Sequence, residues 1–530
     1  MIVAVIPAKE GSTRLPQKNM MEVDGAPLVV HAIRQARSVR QVEKVYVSTD
    51  SDAIAALAEE NGAGVVRRGA DLAGDTALID VYCHALNAIG EEGITHILGV
   101  QPDHPGRKSD MDGSIDYALA NDIDDLFTVD RHGKRNGALR LLSVKALRAR
   151  PTIYPSAYRD DCVNIHTRTD LALADHERSP FSREIAVEGH RIGPGHPTFI
   201  IAEAACNHMC DVDMAKKMID LAAEAGADAI KFQTYKAERL ARREAKLYWE
   251  GKETSQIEYY GRLDRFGAAE YETLFAHARE KGIIGFSTPF DPENASMLND
   301  LGMPLFKIAS CDLPDSRLLR RVAGFGKPVI LSVGGANTEE IDRAVATIFE
   351  TGNHQLVLMS CMLSYPTPDE NADLLRIRAL KDRYPDIIIG LSDHTEPDPN
   401  MVIPALGAAL GASAIEKHYT LDRSKTGSGH FFSVTPEDLK AMVANIRLAE
   451  RVLGEGRLEV AEVEEAARGS ARRSIVAERP IRSGEVIDSS MLGMKRPADG
   501  LPGWMIDQVV GKRAKRDIGA DEALSLDIVE

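Results

Sequence analysis

The chain has 530 residues, too many for one hydrophobic core, so about two to four domains are expected. Apolar residues make up 44% and charged residues 27%, an ordinary balance for a soluble globular protein. The formal net charge of −16 argues against nucleic acid or an anionic membrane as partner, while leaving small anionic substrates open to a local basic pocket.

The first residues, MIVAVIPAKEGS, have no basic flank before the apolar run and no small-residue cleavage site after it. They read as a buried first strand and not as a signal peptide. No stretch approaches the roughly 20 apolar residues that span a membrane. The six cysteines (Cys83, Cys162, Cys206, Cys210, Cys311 and Cys361) are sparse and irregular, which points to reduced thiols in a cytoplasm. Residues 1–180 alternate VAVIPA, KVYVSTD and HILGVQP with helical patterns such as LVVHAIRQAR, as a parallel sheet covered by helices on both faces would. Residues 181–196, with charges, glycines and a proline but no clear period, read as a linker.

From Pro197 to about residue 455, eight short apolar runs follow: 199–205, 228–233, 283–288, 305–310, 328–333, 356–361, 387–393 and 414–419. Helical patterns lie between them. In MAKKMIDLAAEAG, Met214, Met218, Leu221, Ala222 and Ala225 share a face, and Gly226 suits the C-cap. Eight β-then-α units of this length fit a (β/α)₈ TIM barrel better than a doubly wound open sheet. After Gly454 the runs shorten and Gly, Pro and Ser break them up, so residues 456–530 read as a linker and a small β-rich module.

Barrel enzymes build their sites at the C-terminal ends of the strands. Here those ends carry Glu203, Asn207 and His208; Lys231 and Gln233; Thr288; Lys307 and Ser310; Ser332; Tyr365; Ser392, Asp393 and His394; and Glu416, Lys417 and His418. Two lysines among hydroxyls suit a phosphate and a carboxylate. His394 and His418, on adjacent strands, are placed to share one divalent metal. The string CNHMC, with Cys206, His208 and Cys210 on one face of an extended segment, lacks a fourth ligand and the turn spacing of a structural zinc site.

The strings IAEAACNHMCDVDMAKKMI, AIKFQTYKAERL, FSTPFD, FKIAS, SYPTP, GLSDHT and IEKHYTLD resemble the sialic acid synthases and their legionaminic and pseudaminic acid relatives. GEVIDSSMLGMKRPADGL resembles the antifreeze-like (SAF, β-clip) module of the same enzymes. The resemblance implies condensation of phosphoenolpyruvate with an amino-sugar aldehyde. It implies that Lys231, Thr288, Lys307, Ser310, Ser332 and Ser392 bind phosphoenolpyruvate, and that Lys231, Lys307 and Glu203 serve the chemistry, Glu203 in proton transfer. It further implies that His394 and His418 hold Mn²⁺ or Mg²⁺, and that Gln233, Tyr365 and Asp312 face the sugar. Arg496 would reach the barrel of a partner subunit in a domain-swapped homodimer.

Four positions depart from the family pattern: Cys311-Asp312 where glycine and glutamate are common, Leu363 where a small polar residue is usual, and Gly429 in GSGHFFS where an aspartate contacts the sugar. They bear on the sugar more than on the reaction. The rival readings are a condensing enzyme for a sugar phosphate, a Schiff-base aldolase, which needs a lysine of depressed pKa, and an inert barrel with a glycan-binding tail.

In the first segment AKEGSTRLPQKN follows a strand and precedes a helix, as a loop that cradles nucleotide phosphates does. With STD (48–50), VRRGADLAGDTAL and GVQPD (99–103), it resembles the acylneuraminate and ketodeoxyoctonate cytidylyltransferases and their Rossmann-like nucleotidyltransferase sheet. That resemblance implies Gly11, Ser12, Arg14, Lys18 and Gln101 as CTP contacts and Asp103 as a Mg²⁺ ligand. Lys9 replaces an arginine, the segment is short, and His166 stands where an aspartate binds metal. A histidine is a poorer ligand for Mg²⁺ than a carboxylate. Two readings stand: a second enzyme that makes the CMP-activated sugar acid, or a nucleotide-binding scaffold without transfer activity.

Overall fold

In the computed structural model, residues 1–11, 15–69, 72, 76–90, 92–130, 135–149, 156–160, 164–177, 179, 183–247 and 255–530 are described. They form two compact units, Met1–Val452 and Leu453–Glu530.

The first unit begins with a seven-stranded sheet made of β1 (Ile2–Pro7), β2 (Val42–Thr49), β3 (Gly64–Arg67), β4 (His96–Val100), β5 (Asp125–Val129), β6 (Arg135–Ser143) and β7 (Ser156–Arg159), in the order β3-β2-β1-β4-β6-β5-β7. The sheet is mixed, not all parallel: β6 runs antiparallel to both β4 and β5. Only residues 130–134 join β5 to β6, too few for the crossover that a parallel pair requires. Apolar cores cover both faces, with Ala4, Ile6 and Val47 in one and Val3, Val5 and Ile97 in the other. This is what the near-continuous apolar runs of a doubly covered sheet predict.

Residues 181–196 are not a plain linker. β8 (Ile185–Val187) and β9 (His190–Ile192) form an antiparallel hairpin. Its two-residue turn, Glu188-Gly189, has φ of 43° and 87°, the handedness that matches strand twist. Ile185, Val187 and Ile192 are buried in the barrel core, and His190 meets Phe199 and Asp228 at the N-terminal ends of the strands.

The barrel strands are β10 (Phe199–Ala205), β11 (Ala229–Thr234), β12 (Ile284–Pro289), β13 (Phe306–Ile308), β14 (Val329–Ser332), β15 (Leu356–Cys361), β16 (Ile388–Asp393) and β17 (Ala414–His418). All eight fall on the apolar runs of the sequence. Their order is β12-β11-β10-β17-β16-β15-β14-β13, parallel at every neighbouring pair, which is a nearly closed barrel. The helix Val212–Glu224 starts on an Asp211 cap that accepts from the Asp213 and Met214 amides. It ends before Gly226, whose φ of 86° supplies the left-handed C-terminal residue. Its buried stripe is Ala215, Met218, Ile219 and Ala222; Met214 and Leu221 are only half-buried, so the face is rotated from the expected one. The small Ala215 and Ala222 allow close approach to the strands.

The sheet domain packs on the N-terminal side of the barrel, away from the strand ends that carry chemistry. The His176 ring, on the helix Arg168–Glu177, stacks on Phe349 at 4.3 Å and contacts the Asp386 carbonyl through Nε2 at 3.0 Å. The Asp386 carboxylate meets Arg183 at 3.1 Å and Lys108 at 3.4 Å. The second unit has its own core, including Ile475, Ile487, Val509 and Leu524, around β18 (Ser474–Ala477) and β19 (Leu492–Lys495), as the β-rich reading predicts. Among the described residues no helix is long and apolar enough to cross a membrane.

Candidate active site

Strand alternation and register place the barrel residues. Successive side chains point to opposite faces, so Lys231 and Gln233 share the inner face of β11, and Glu416 and His418 share that of β17. Register sets Glu203 beside Lys231, Gln233 beside Thr288, and Ser392 beside Glu416. One pocket, of about 50 Å³, is lined by Glu203, Lys231, Gln233, Thr288, Lys307, Ser310, Ser332, Tyr365, Ser392, His394, Glu416 and His418. Every barrel position expected to bind phosphoenolpyruvate or metal therefore converges there.

The charges inside are paired. Lys231 Nζ lies 2.7 Å from Glu203 and 3.7 Å from Glu416, and donates to Thr288 Oγ1 at 2.9 Å. Lys307 Nζ donates to Glu416 Oε1 at 3.2 Å, and Ser392 Oγ donates to the same oxygen at 3.0 Å. Gln233 Nε2 donates to Glu203 Oε1 at 3.0 Å. Glu203 and Lys231 are only 1% and 2% exposed, so each charge depends on its partner for stability. The two carboxylates diverge in acidity. Burial drives Glu203 above the usual carboxylate range, with Lys231 only partly offsetting it. Glu416 feels the same burial, but Lys231 and Lys307 together outweigh it and hold it ionised. Two carboxylates pushed apart in this way are suited to different tasks, one to carry a proton and the other to stay charged. Among the described residues Ser332 Oγ is buried without a partner, and Ser310 Oγ accepts from the Gly334 amide at 2.9 Å. A Cβ at Gly334 would lie 2.9 Å from that oxygen, so the glycine permits the close approach of the loop.

Glu416 had no assigned role in the sequence reading, although its place at a strand end was visible. Its function as the shared counter-ion comes only from its position between two lysines. Lys417 and Asp393, also at strand ends, point outward and pair with each other at 2.5 Å, so they are structural. Asn207 donates to the Tyr419 carbonyl and is structural too.

The two histidines suit a metal. His394 Nδ1 lies 2.7 Å from the Met362 carbonyl and so carries the proton, leaving Nε2 as the ligand nitrogen, the usual orientation of a metal-binding imidazole. Among the described residues His418 Nδ1 is buried without a partner, and burial keeps this ring well below the ordinary imidazole range. A neutral ring is what coordination needs. The ring centroids are 5.2 Å apart. Among the described residues no group of three or more His, Cys, Asp or Glu could enclose a metal, so these two imidazoles would be the side chains that hold one.

A wider cleft of about 180 Å³ adjoins the pocket through Gln233, Tyr365 and His418. Cys311, Leu363 and Gly429 line it, whereas Asp312, expected to face the sugar, lines neither cavity. The 3₁₀ turn Ser310–Asp312 aims Cys311 into the cleft and turns Asp312 aside, where burial raises its carboxyl to about 7. Arg496 is exposed on the second unit. CNHMC forms a turn and not an extended strand: Cys206 donates to Tyr235 Oη at 3.4 Å and His208 stacks on Phe266 at 4.6 Å, so the three side chains have separate roles.

In the sheet domain a cavity of about 270 Å³ is lined by Lys9, Lys18, Asn19, Arg68, Gln101 and Asp103, among others. Lys18 Nζ donates to Asp103 Oδ2 at 2.8 Å and to the Ile165 carbonyl at 3.0 Å. Burial alone would raise the Asp103 carboxyl; His104 and Lys18 overcome it and hold Asp103 far below the usual range. Gly11 does not line the cavity, and Ser12 and Arg14 lie outside the described residues. Arg68 was missed. Among the described residues its Nε and Nη2 are buried without hydrogen-bond partners, and burial lowers its pKa, partly offset by Asp50. Guanidinium donors left open in this way suit an anion or a nucleobase. Its only sequence signal is its place in VRRGADLAGD, just after β3.

Family models match in the same order as the architecture: Cytidylyltransferase over residues 3–147, NeuB family over 218–458 and SAF domain over 472–530. The chain is 34% identical over 334 residues to the N,N'-diacetyllegionaminic acid synthase of Campylobacter jejuni, an alignment spanning 62% of this chain and 98% of that one. It is 32% identical over 346 residues to the human N-acetylneuraminate-9-phosphate synthase, spanning 64% and 95%. The crystal structure of a putative spore coat polysaccharide biosynthesis protein E from Chromobacterium violaceum is similar at 30% identity and a TM-score of 0.52, over 63% of this chain and 99% of that one. With nearly the whole length of these relatives matched, and the buried lysine–carboxylate pocket in the barrel that the match covers, the chain belongs to the NeuB family.

Proposed function

We propose that the barrel is a nonulosonic acid synthase, condensing phosphoenolpyruvate with the open-chain aldehyde of an N-acylated hexosamine and releasing phosphate. The observation that carries this reading is the enclosed pair of lysines, each held by a carboxylate and ringed by Thr288, Ser310, Ser332 and Ser392, beside two imidazoles. Lys231 and Lys307 supply fixed positive charge for the phosphate and carboxylate of phosphoenolpyruvate, and the four hydroxyls supply short donors. NeuB-family synthases depend on a metal, and here His394 and His418 would hold Mn²⁺ or Mg²⁺, which supplies Lewis-acid polarisation of the aldehyde oxygen. C3 of phosphoenolpyruvate forms the new bond to the aldehyde carbon. Water adds at C2, and the C2–O bond to phosphate then breaks. Glu203, with its raised pKa, sits where it can carry a proton during these steps. Because both lysines are ion-paired to buried carboxylates and so are not free amines, a Schiff base is disfavoured.

The relatives, by their names, make N,N'-diacetyllegionaminic acid and N-acetylneuraminate 9-phosphate. The test is phosphate release from phosphoenolpyruvate with N-acylated hexosamines, run with and without a chelator. Equimolar phosphate and 2-keto acid, lost on chelation, are expected. Borohydride trapping of pyruvate on a lysine would overturn the reading.

The sheet domain is proposed to bind Mg²⁺-CTP through Lys18, Gln101, Asp103 and Arg68, a reading favoured by the one cavity that these four residues line. Pyrophosphate release with CTP and a nonulosonic acid would establish transfer; binding without release would leave it a scaffold. A cytoplasmic homodimer, with Arg496 reaching a partner's barrel, belongs to the same proposal; the free thiols of Cys83, Cys206, Cys210, Cys311 and Cys361 agree with the compartment.

A further inference from the structure

The two strands that carry the imidazoles meet at a buried ion pair facing away from the pocket. Lys417 and Asp393 are 1% and 4% exposed and form the last rung of the ladder between β16 and β17. His394 is the first residue beyond β16, so no rung of that ladder holds it, whereas His418 still pairs with Glu203 of β10. Side chains take over where the ladder ends. Asp393 Oδ1 accepts from the Thr395 amide and from the Thr395 hydroxyl, each at 2.9 Å, which closes a turn around His394. Lys417 Nζ donates to Asp393 Oδ2 at 2.5 Å, to the Thr395 carbonyl at 2.8 Å and to Thr395 Oγ1 at 3.2 Å. All three ammonium donors are thereby used. The His394 carbonyl accepts from the Thr367 amide at 2.9 Å, and the ring Nδ1 meets the Met362 carbonyl at 2.7 Å.

A buried ion pair is a poor way to add stability, because apolar side chains of similar volume often do as well or better. Its value here is geometric. A fully bonded buried network is rigid, and this one grips the residues on both sides of His394 from the chain neighbour of His418. Resting on the proposed metal site, we infer that Lys417 and Asp393 are positioning residues that fix His394 against His418 for one divalent cation. Neither lines the pocket. Asp393 closes the turn, and Lys417 anchors it to β17 through Thr395.

The test titrates Mn²⁺ into the full chain without phosphoenolpyruvate and follows the free ion by its electron paramagnetic resonance signal. The tightest Mn²⁺ site of the parent is expected to vanish in His394→Ala. Lys417→Met combined with Asp393→Leu is expected to melt, metal-free, close to the parent, yet to bind Mn²⁺ about 10- to 100-fold more weakly. Thr395→Val, which lacks the shared hydroxyl, is expected to weaken binding less, and Thr395→Ser, which keeps it, to match the parent. A role in stability alone would move the melting temperature and leave the affinity unchanged. Parent-like affinity in the folded double variant overturns the inference and leaves the metal site standing. If that variant does not fold, parent-like affinity in Thr395→Val overturns it instead. Parent-like Mn²⁺ binding by His394→Ala overturns the metal site and the inference with it.

Discussion

The barrel pocket and the nucleotide-type cavity were both approached through motifs, yet they came together differently. In the barrel, the expected residues sit on strands whose register is set by parallel ladders, and all of the phosphoenolpyruvate and metal positions meet in one pocket. In the sheet domain, the expected residues sit on the loop after β1 and just past the end of β4; among the described ones Lys18, Gln101 and Asp103 reach the cavity wall and Gly11 does not. A strand converts spacing directly into facing direction; a loop does not.

The largest effect that would break this contrast lies in the barrel. Lys307→Met removes one of two cations and leaves Glu416 short of a partner. It is expected to lower kcat/KM for phosphoenolpyruvate by roughly 10³-fold, measured as phosphate release. A loss under tenfold would mean that the buried pair is structural. Next, Arg68→Met should weaken CTP binding by about 10- to 100-fold in titration calorimetry, the cost of one charged hydrogen-bonding group. Unchanged affinity would remove Arg68 from the site and make the two regions less alike still.

A further effect concerns the join between the regions. Burial, only partly offset by the Asp386 carbonyl, lowers His176 to about 4, against about 6.5 unfolded. The unfolded chain therefore binds this proton first as pH falls, so the contribution of neutral His176 is full above pH 6.5 and is lost between 6.5 and 4. The amount is on the order of 2–3 kcal/mol. His176→Phe keeps the stack on Phe349 but cannot ionise. Its melting temperature is expected to fall less steeply than that of the parent over this range, and parallel curves would refute the assignment.

Glu177 acts in the opposite direction. Burial raises its carboxyl to about 7, so its contribution fades as pH rises from about 4.5 to 7. This is why the comparison is between parent and variant and not a single curve.

All eight barrel strands were legible because short apolar runs bounded by Gly, Pro and polar residues repeat with the β/α period. The hairpin at 185–192 was not, because a three-residue strand offers almost no alternation and Glu-Gly is a weaker turn signal than Asn-Gly. The antiparallel β6 was hidden for a related reason: periodicity reports burial and not strand direction. Asp312 was misplaced because a 3₁₀ turn advances each side chain by about a third of a turn, so one residue decides which side chain enters the cleft.

What the sequence determined by itself was the inventory and its facing: which strands carry Lys231, Lys307, His394 and His418, and that all four point to one end of one barrel. Tertiary structure alone decided the pairing of those charges, with Glu416 shared between two lysines and Glu203 raised by burial. It also joined Lys18 to Asp103 across 85 residues and His176 to Asp386 across 210. The physical reason is that alternation along a strand is local, whereas burial and counter-ions depend on segments remote in the chain. The acidity of a group, and so its role, is settled only when those segments meet.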